Sequence, residues 1–176
     1  MERKQIGQII LTALILGMVA APSAWARLEK VAFVDVAKIF DGYQRTKDSD
    51  SKLQAAGKKK EEERDAVVHE IRRLKDEQAL LAEDAREKKQ EAIDAKIREL
   101  QDFDAGARRE LGEERNKTVR EIFKDIDDIV QRYGERKGYD LIFNERVLLY
   151  KSPHFDVTSE VLDELNHTYP GAGKKK

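Results

Sequence analysis

The chain has 176 residues, of which 34 are Lys or Arg and 35 are Asp or Glu, so that 39% of it is charged while the formal net charge is only −1. An ordinary globular domain has about 25% charged residues. The absence of cysteine excludes disulfides, thiol catalysis and cysteine-based zinc sites. The near-zero net charge argues against a general nucleic-acid-binding protein, which normally carries a basic excess.

The N-terminus has the pattern of a secretory signal peptide. Two basic residues precede an apolar run over residues 9–21, and Ala24-Trp25-Ala26 supplies the small residues that signal peptidase recognises. The sequence therefore predicts export and removal of residues 1–26, with cleavage after Ala26. A membrane anchor is the alternative, but the apolar run is shorter than the about 20 residues that span a bilayer.

The exported chain begins with a predicted strand and a helical turn. Residues 30–35 (KVAFVD) are rich in the β-branched and aromatic residues that favour strands. Asp35 is a suitable N-cap for a helix over residues 36–40, because its carboxylate can accept a hydrogen bond from a free N–H group of the first turn.

Residues 44–137 hold most of the charge and predict a long helical region. These 94 residues include 24 Lys and Arg and 25 Asp and Glu, but only 18 Leu, Ile, Val and Phe. The apolar residues recur about every 3.5 residues, which is the period of a coiled coil. Gly134 and Gly138 stand where such a helix commonly ends. The pattern indicates helices with one narrow apolar seam and otherwise solvated faces.

The apolar seam is interrupted between Leu81 and Ile93, where no large apolar residue occurs. If the two halves pair antiparallel, Leu74 lies opposite Ile97, and the other seam residues pair in a similar register. The sequence therefore predicts an antiparallel coiled-coil hairpin with its turn near residues 83–90. One continuous helix in an intermolecular coiled coil is the alternative, although such long uninterrupted helices are uncommon.

The C-terminal part predicts two strands and a final helix. Residues 139–143 (YDLIF) and 147–151 (VLLYK) have strand composition, and the three polar residues between them are typical of a hairpin. A helix over residues 159–165 follows, with Asp156 or Thr158 as its cap.

The two ends of the exported chain together predict a small discontinuous head, residues 27–43 and 138–170, with a flexible tail at 171–176. Units this small bury little surface, and open strand edges promote aggregation. We therefore expect an α+β protein in which the hairpin of residues 44–137 projects from a β-rich head, and in which the heads of several chains associate. The candidates for this oligomerisation surface are Val31, Phe33, Leu141, Phe143 and Leu149.

In this order of elements, the sequence resembles the Skp (OmpH-type) family of periplasmic chaperones. The most specific parts are VAFVDVAKIF at residues 31–40 and GYDLIFNERVLLYKSPHFDVTSEVLDEL at residues 138–165. The charged helical middle is similar in composition, although many coiled coils share it. The resemblance implies a homotrimer with a body of strands and three helical tentacles around a cavity.

The resemblance also implies a function. Proteins of this family hold unfolded outer-membrane proteins in the periplasm, without ATP, before these insert as barrels. Members are often markedly basic, which favours weak contact with anionic lipid or lipopolysaccharide at a membrane. This chain is slightly acidic, so the resemblance is weakest in that property.

Holding an unfolded client requires scattered apolar contacts among many charges. A nascent barrel strand alternates apolar and polar residues and aggregates when its edges are exposed. Apolar residues off the predicted seam are therefore the candidates for contact with the client, namely Val68, Leu80 and Phe103. The alternative is that these side chains broaden the seam and cover their neighbours.

The sequence offers no motif for catalysis or for a cofactor. The three histidines are scattered without the spacing of metal ligands, and the carboxylates of Asp125, Asp127 and Asp128 are better explained as a solvated helix face. We therefore expect neither an enzyme nor a cofactor, metal or nucleic-acid partner. A structural adaptor or spacer of the cell envelope is the alternative to a chaperone, because both require export and long helices.

Overall fold

The computed structural model describes residues 30–170. The predicted signal peptide, the first three residues of the predicted head and the C-terminal tail lie outside the described residues. The described chain is mostly helical and has one small parallel sheet of two strands. This confirms the coarse expectation of helices combined with a little β-structure. None of the helices in residues 30–170 has the length and apolar character needed to cross a membrane.

The first strand and the first helix form where the local sequence predicts them. Strand β1 is Val31–Val34 and helix α1 is Val36–Gly42. The Asp35 carboxylate accepts a hydrogen bond of 3.0 Å from the backbone N–H of Lys38, which confirms the predicted N-cap. The chain then passes through the single residue Tyr43 into the next helix.

Two long helices follow, separated by three residues. Helix α2 is Gln44–Ala79 and helix α3 is Glu83–Lys137, with 36 and 55 residues respectively. At 1.5 Å per residue they extend over about 54 Å and about 80 Å. Helix α3 ends at Gly138, which adopts the left-handed conformation with φ 69°, whereas Gly134 lies within the helix. Of the two predicted helix ends, Gly138 is confirmed and Gly134 is wrong.

The helix break occupies residues 80–82. The sequence predicts the turn near residues 83–90, but these residues are helical, so the break lies just before the predicted position. Helix α3 begins at once because Glu83 and Asp84 place negative charge in its first turn, where the helix dipole favours it. The Arg86 side chain donates a hydrogen bond of 2.9 Å to the carbonyl of Leu81 and so closes the turn. The apolar gap in the sequence therefore marks the exposed start of a helix.

Ion pairs join α2 to α3 from end to end. The Arg45 guanidinium lies 2.5 Å from Glu121 near the start of α2, and Lys89 lies 2.5 Å from Glu77 near the three-residue break. Between these pairs, Lys60 Nζ lies 2.9 Å from Glu110. The two helices therefore lie side by side, and we call residues 47–121 of this pair the arm.

The sheet is parallel, which corrects the predicted hairpin. Strand β2, Leu141–Asn144, pairs with β1 in the register Val31 opposite Leu141, and residues 145–147 form a 3₁₀ turn. The Asn144 side chain accepts a hydrogen bond from the N–H of Arg146 and so starts this turn. The strand predicted at 147–151 is absent, because β2 pairs with β1 and the chain turns away after Asn144.

On its other side, β1 meets the segment that leads into the last helix. The N–H of Val157 donates a hydrogen bond of 3.1 Å to the carbonyl of Phe33. Helix α4 is Thr158–Thr168, slightly longer than predicted. Its N-cap position is Val157, but the Asp156 carboxylate accepts a hydrogen bond of 2.9 Å from the N–H of Thr158, the first residue of α4, and so supplies the predicted capping contact. The Thr158 hydroxyl instead accepts a hydrogen bond of 2.9 Å from the N–H of Asp35 and ties α4 to the end of β1.

One hydrophobic core lies where these short elements cover the final third of α3. We call this packed unit, residues 30–46 and 122–170, the head. Its buried core side chains are Ala32, Val34, Ile39, Tyr43, Ile122, Ile126, Ile129, Tyr133, Val157, Val161 and Leu165. Four of them, Ile122, Ile126, Ile129 and Tyr133, recur every three or four residues along α3, as the residues of an apolar seam do. Gly42 allows α4 to approach closely, since a Cβ atom there would lie 2.5 Å from Leu162.

Candidate functional site

The three predicted client-contact residues do not all lie at one place on the arm. Leu80 is 88% exposed in the three-residue break, at the end of the arm that is distant from the head. Val68 and Phe103 are half-buried on α2 and α3. Leu80 is about three helical turns beyond Val68 on α2, whereas Phe103 adjoins Asp104, which pairs with Arg64 one turn before Val68.

Phe103 lies in a shallow hollow of about 310 Å³ on the arm, which Gly106 and Ala107 also line. The Lys60 ammonium lies 5.8 Å from the centre of the Phe103 ring and is also paired with Glu110. A lysine stem over an aromatic ring covers part of its apolar face while its charge remains in water. Phe103 is thus partly available to solvent beside a charged group.

A larger groove opens between α2 and α3 where the arm joins the head. It has a volume of about 790 Å³, and its apolar lining comes from Phe40, Leu53, Leu111 and Val119. Around these side chains the groove is lined by both signs of charge: Arg45, Asp50, Lys52, Glu110, Glu113, Glu114, Arg115, Lys117 and Glu121. We call this feature the base groove. Its mixture of apolar and charged groups fits weak contact with varied side chains, and it lacks the convergent polar groups of a specific ligand pocket.

An aromatic pair stands beside the base groove and was not anticipated from the sequence. The rings of Phe40 and Phe123 stack with their centres 5.3 Å apart and an angle of 25° between their planes. Phe123 is an exposed large apolar side chain. It follows the buried Ile122 directly, so its position one residue off the apolar seam was the available signal.

Arg45 connects the head to the arm through two carboxylates. Its guanidinium lies 2.7 Å from Asp125 and 2.5 Å from Glu121, both on α3. The hydrogen bond to Asp125 raises the pKa of Arg45 further, so that the group stays charged. The phenol of Tyr43 donates a hydrogen bond of 3.1 Å to the same Asp125 carboxylate. Burial of Tyr43, together with the negative charge of Asp125, raises the pKa of this phenol well above its usual range.

The head exposes a group of large apolar side chains in one short segment. We call this group the head patch; its members are Leu141, Phe143, Val147, Leu149, Tyr150 and Phe155. Leu141 and Phe143 alternate with the partly buried Ile142 and Asn144 along β2, so they share the outward face of the strand. Exposed apolar groups of this size are typical of surfaces that bind another protein.

The predicted oligomerisation residues have different environments in the structure. Phe33 is only 3% exposed, with the Lys151 ammonium 5.3 Å from its ring centre, and Val31 is half-buried. Leu141 and Phe143 are exposed, and Leu149 is fully exposed in the segment after the 3₁₀ turn. The sequence did not single out Val147, Tyr150 and Phe155. Val147 and Tyr150 belong to the run VLLYK at residues 147–151, whose composition predicts a strand, and Phe155 lies outside this run.

Within residues 30–170, no group of three or more His, Asp or Glu side chains is arranged to hold a metal ion. The polar features described above are cross-helix ion pairs and helix caps.

The sequence matches the model of the family described as outer membrane protein (OmpH-like) over residues 30–165. No curated protein matches the chain significantly. Among solved structures, a protein from Caulobacter crescentus is similar in fold, with a TM-score of 0.69 and 17% sequence identity over 86% of this chain and 92% of that one. Its description assigns it provisionally as an outer membrane chaperone (OmpH-like). At this identity the likeness shows a shared fold.

Proposed function

Because the chain belongs to the OmpH-like family of outer membrane proteins, we propose that it is a periplasmic, ATP-independent holdase that keeps unfolded outer-membrane proteins from aggregating. The observation that carries this proposal is the family match, which includes both the head and the arm. We further propose that the chain is exported with cleavage after Ala26, and that it acts as a homotrimer.

The arm supports the proposal because its surface suits weak and repeated contact. Its charges form ion pairs across the helices, while Leu80 is exposed and Phe103 is partly accessible. A client that contacts isolated apolar side chains gains about 0.8 kcal/mol for each buried CH₂ group. Each contact is therefore too weak to trap the client, whereas many such contacts together can hold it.

The head patch supports the proposed trimer. The outer edge of β2 has no further strand beside it in the described part of the chain, and Leu141 and Phe143 lie on the exposed face of the same strand. An exposed strand edge with apolar neighbours aggregates unless it is covered. Association of heads through this surface would cover it and would place several arms around a common space.

The holdase proposal is tested by diluting a urea-unfolded outer-membrane protein into buffer with the purified protein and without nucleotide, while light scattering is followed. We expect aggregation to be suppressed at about one trimer per client molecule. The triple variant Val68→Ser, Leu80→Ser, Phe103→Ser should suppress less. Its matched control is the triple variant Gln54→Ser, Lys88→Ser, Gln101→Ser, which changes exposed polar residues on the same helices.

The trimer is tested separately by multi-angle light scattering of the purified protein. The expected mass is three times that of one chain. Phe143→Asp combined with Leu149→Asp should reduce it, whereas Ser159→Asp, which adds a charge at an exposed site on α4, should not. A monomeric wild-type protein would refute the trimer, and full scattering in the presence of a wild-type trimer would refute the holdase.

A further inference from the structure

The base groove and the hollow at Phe103 adjoin each other on one side of the arm, because Glu110 and Glu113 line both of them. Along α3 the two depressions together extend from Phe103 to Ile122, which is about 29 Å at 1.5 Å per residue. We call this combined depression between α2 and α3 the track. It is too long for one side chain and long enough for a segment of a polypeptide.

The floor of the track has apolar side chains at several levels between the head and the middle of the arm. Each of them is half-buried, so that part of its surface remains accessible to another chain: Phe40, Leu53, Phe103, Leu111 and Val119. An occupant that covers this floor must therefore present apolar side chains at intervals along its length, and a single apolar group would cover only one level.

The rims of the track carry exposed charges of both signs. These charged residues include Asp50, Lys52, Glu113, Glu114 and Lys117. Within residues 30–170, none of the five forms an ion pair, so all of them are available to an occupant. A segment with both acidic and basic side chains is complementary to these rims, whereas a polyanion or a polycation would be repelled by part of them.

An extended segment fits this arrangement better than a helix does. A strand directs alternate side chains to opposite faces, so one row can lie on the apolar floor while the other reaches the charged rims and water. A helix buries an apolar stripe about 100° wide or more, and the charges of both rims would meet that stripe. At about 3.3 Å per residue, about nine extended residues cover 29 Å, which is the length of one transmembrane β-strand.

We propose that the track is a binding site for one extended segment of about nine residues in which apolar and charged side chains alternate, as they do in a strand of an outer-membrane barrel. The identity of this client rests on the proposed holdase function. The site depends on the pattern of side chains and not on one sequence, because it offers apolar surface and exposed charges instead of fixed hydrogen-bonding groups.

Lys60 covers one end of the track. Its ammonium lies 2.9 Å from Glu110 and 5.8 Å from the centre of the Phe103 ring, so the lysine covers part of an apolar surface that the occupant would contact. The ion pair is at the surface, where such pairs contribute little stability, and an incoming side chain can displace it. Removal of the Lys60 side chain should therefore expose Phe103 and tighten binding.

The first test is fluorescence anisotropy with a labelled nine-residue peptide in which valine and leucine alternate with lysine, glutamate and threonine. Its matched control has the same composition with the apolar residues in one block. The alternating peptide should bind to saturation, about fivefold more tightly than the block peptide, because only its apolar residues can all face the floor.

Three variants of the protein sharpen this measurement. Phe103→Ser should weaken binding of the alternating peptide about tenfold through the loss of apolar surface, and Lys60→Ala should tighten it about threefold. Gln101→Ser, at an exposed polar site of α3 outside the track, should leave it unchanged.

The second test locates the bound peptide. Because the chain has no cysteine, a disulfide forms only at an introduced site. Ala56 lines the base groove, whereas Ala55 is exposed on the same helix and lines neither part of the track. An alternating peptide with one central cysteine should therefore crosslink to the variant Ala56→Cys much faster than to the matched variant Ala55→Cys.

Three results would overturn the proposal. They are equal binding of the two peptides, equal crosslinking at the two positions, and a faster disulfide between two Ala56→Cys chains than between two Ala55→Cys chains without peptide. The last result would show that a second copy of the chain covers the track. Suppressed client aggregation together with any of them would leave the holdase without this site, whereas a peptide bound in the track without suppression would refute the holdase alone.

Discussion

The head and the arm of this protein are stabilised by different interactions. In the head, nine buried residues from β1, α1, α3 and α4 pack together with Tyr43 and Val157, and helix ends are tied to other elements by side-chain hydrogen bonds. In the arm, Ile71 and Ile93 are the buried residues, and ion pairs connect the helices along most of their length. The head is thus stabilised by apolar burial, and the arm by helix propensity and surface charge.

This difference shows how one sequence can combine a fixed unit with an adaptable one. Removing apolar area from water contributes about 25 cal/mol per Å², and close packing permits one arrangement of side chains. Exposed ion pairs contribute at most about 1 kcal/mol each and permit many arrangements. Mutations in the head should therefore cost more than those in the arm.

The largest expected effect is in the head core. Ile126→Ala should lower the free energy of unfolding by about 2–5 kcal/mol, because a side chain that is 1% exposed leaves a cavity among its neighbours. Urea denaturation followed by circular dichroism measures this loss. The matched change in the arm, Leu53→Ala at a half-buried site, should cost less than half as much. Equal losses at the two sites would contradict the comparison.

The second prediction concerns alkaline pH. Burial and the charge of Asp125 raise the pKa of Tyr43 above its usual value of 10.0, so the folded protein retains this proton when the unfolded chain has lost it. The contribution of Tyr43 to the free energy of unfolding should therefore be fully present below pH 10. Above that pH, the free energy of unfolding should fall by about 1.4 kcal/mol per pH unit for one tyrosine. Tyr43→Phe should make this decline less steep in urea titrations between pH 9 and 11.

A decline remains in that variant, because burial also raises the pKa of Tyr133 and of Tyr169. All three groups lie in the head, so the alkaline decline reports on the head. Identical slopes for the wild type and Tyr43→Phe would show that the Tyr43 proton does not contribute to stability.

Local signals in the sequence predicted the elements that depend on neighbouring residues. The cap of Asp35 on α1 and the end of α3 at Gly138 follow from short-range hydrogen bonding and from the conformational freedom of glycine. The sequence predicts strand β2 but assigns it the wrong partner. Strand β2 pairs with β1, although Val31 and Leu141 are 110 positions apart in the chain. Hydrophobic alternation specifies a strand and its buried face, and leaves the neighbour undetermined.

The helical period has a similar limit. Ile122, Ile126, Ile129 and Tyr133 repeat every three or four residues, as a coiled-coil seam does, yet they are buried in the head core. The period identifies the face of a helix that is buried, and what covers that face depends on distant parts of the chain. Exposure is likewise a property of the folded chain, so Phe123 and Phe155 were missed. The client-contact and oligomerisation residues remain predictions.

The third prediction uses two glycines whose surroundings differ. Gly42→Ala in the head should lower the free energy of unfolding by about 1 kcal/mol, since overpacking against Leu162 exceeds the gain in helix propensity. Gly57→Ala in the arm has open space around the new methyl group and should raise it by about 1 kcal/mol. Thermal denaturation of both variants measures the two signs. A lower stability of Gly57→Ala would mean that the arm is tightly packed around residue 57, contrary to the difference described between the head and the arm.

The smallest effects are expected at the ion pairs. Arg64→Ala in the arm removes one partly exposed pair with Asp104 and should cost less than about 0.5 kcal/mol. Arg45→Ala, at the boundary with the head, deprives both Glu121 and Asp125 of their shared cation and should cost about 1 kcal/mol.

Urea titrations at low salt and at 1 M salt distinguish the two variants, because the Debye length falls to about 3 Å at 1 M and exposed pairs are then screened. The cost of Arg64→Ala should vanish at high salt, whereas part of the cost of Arg45→Ala should persist. That persistence is expected because Arg45 is less exposed than Arg64 and because Asp125 also accepts a hydrogen bond from the phenol of Tyr43. If both costs vanished at high salt, the ion pairs of Arg45 would be screened as fully as those of the arm. Only the packed core would then distinguish the head from the arm.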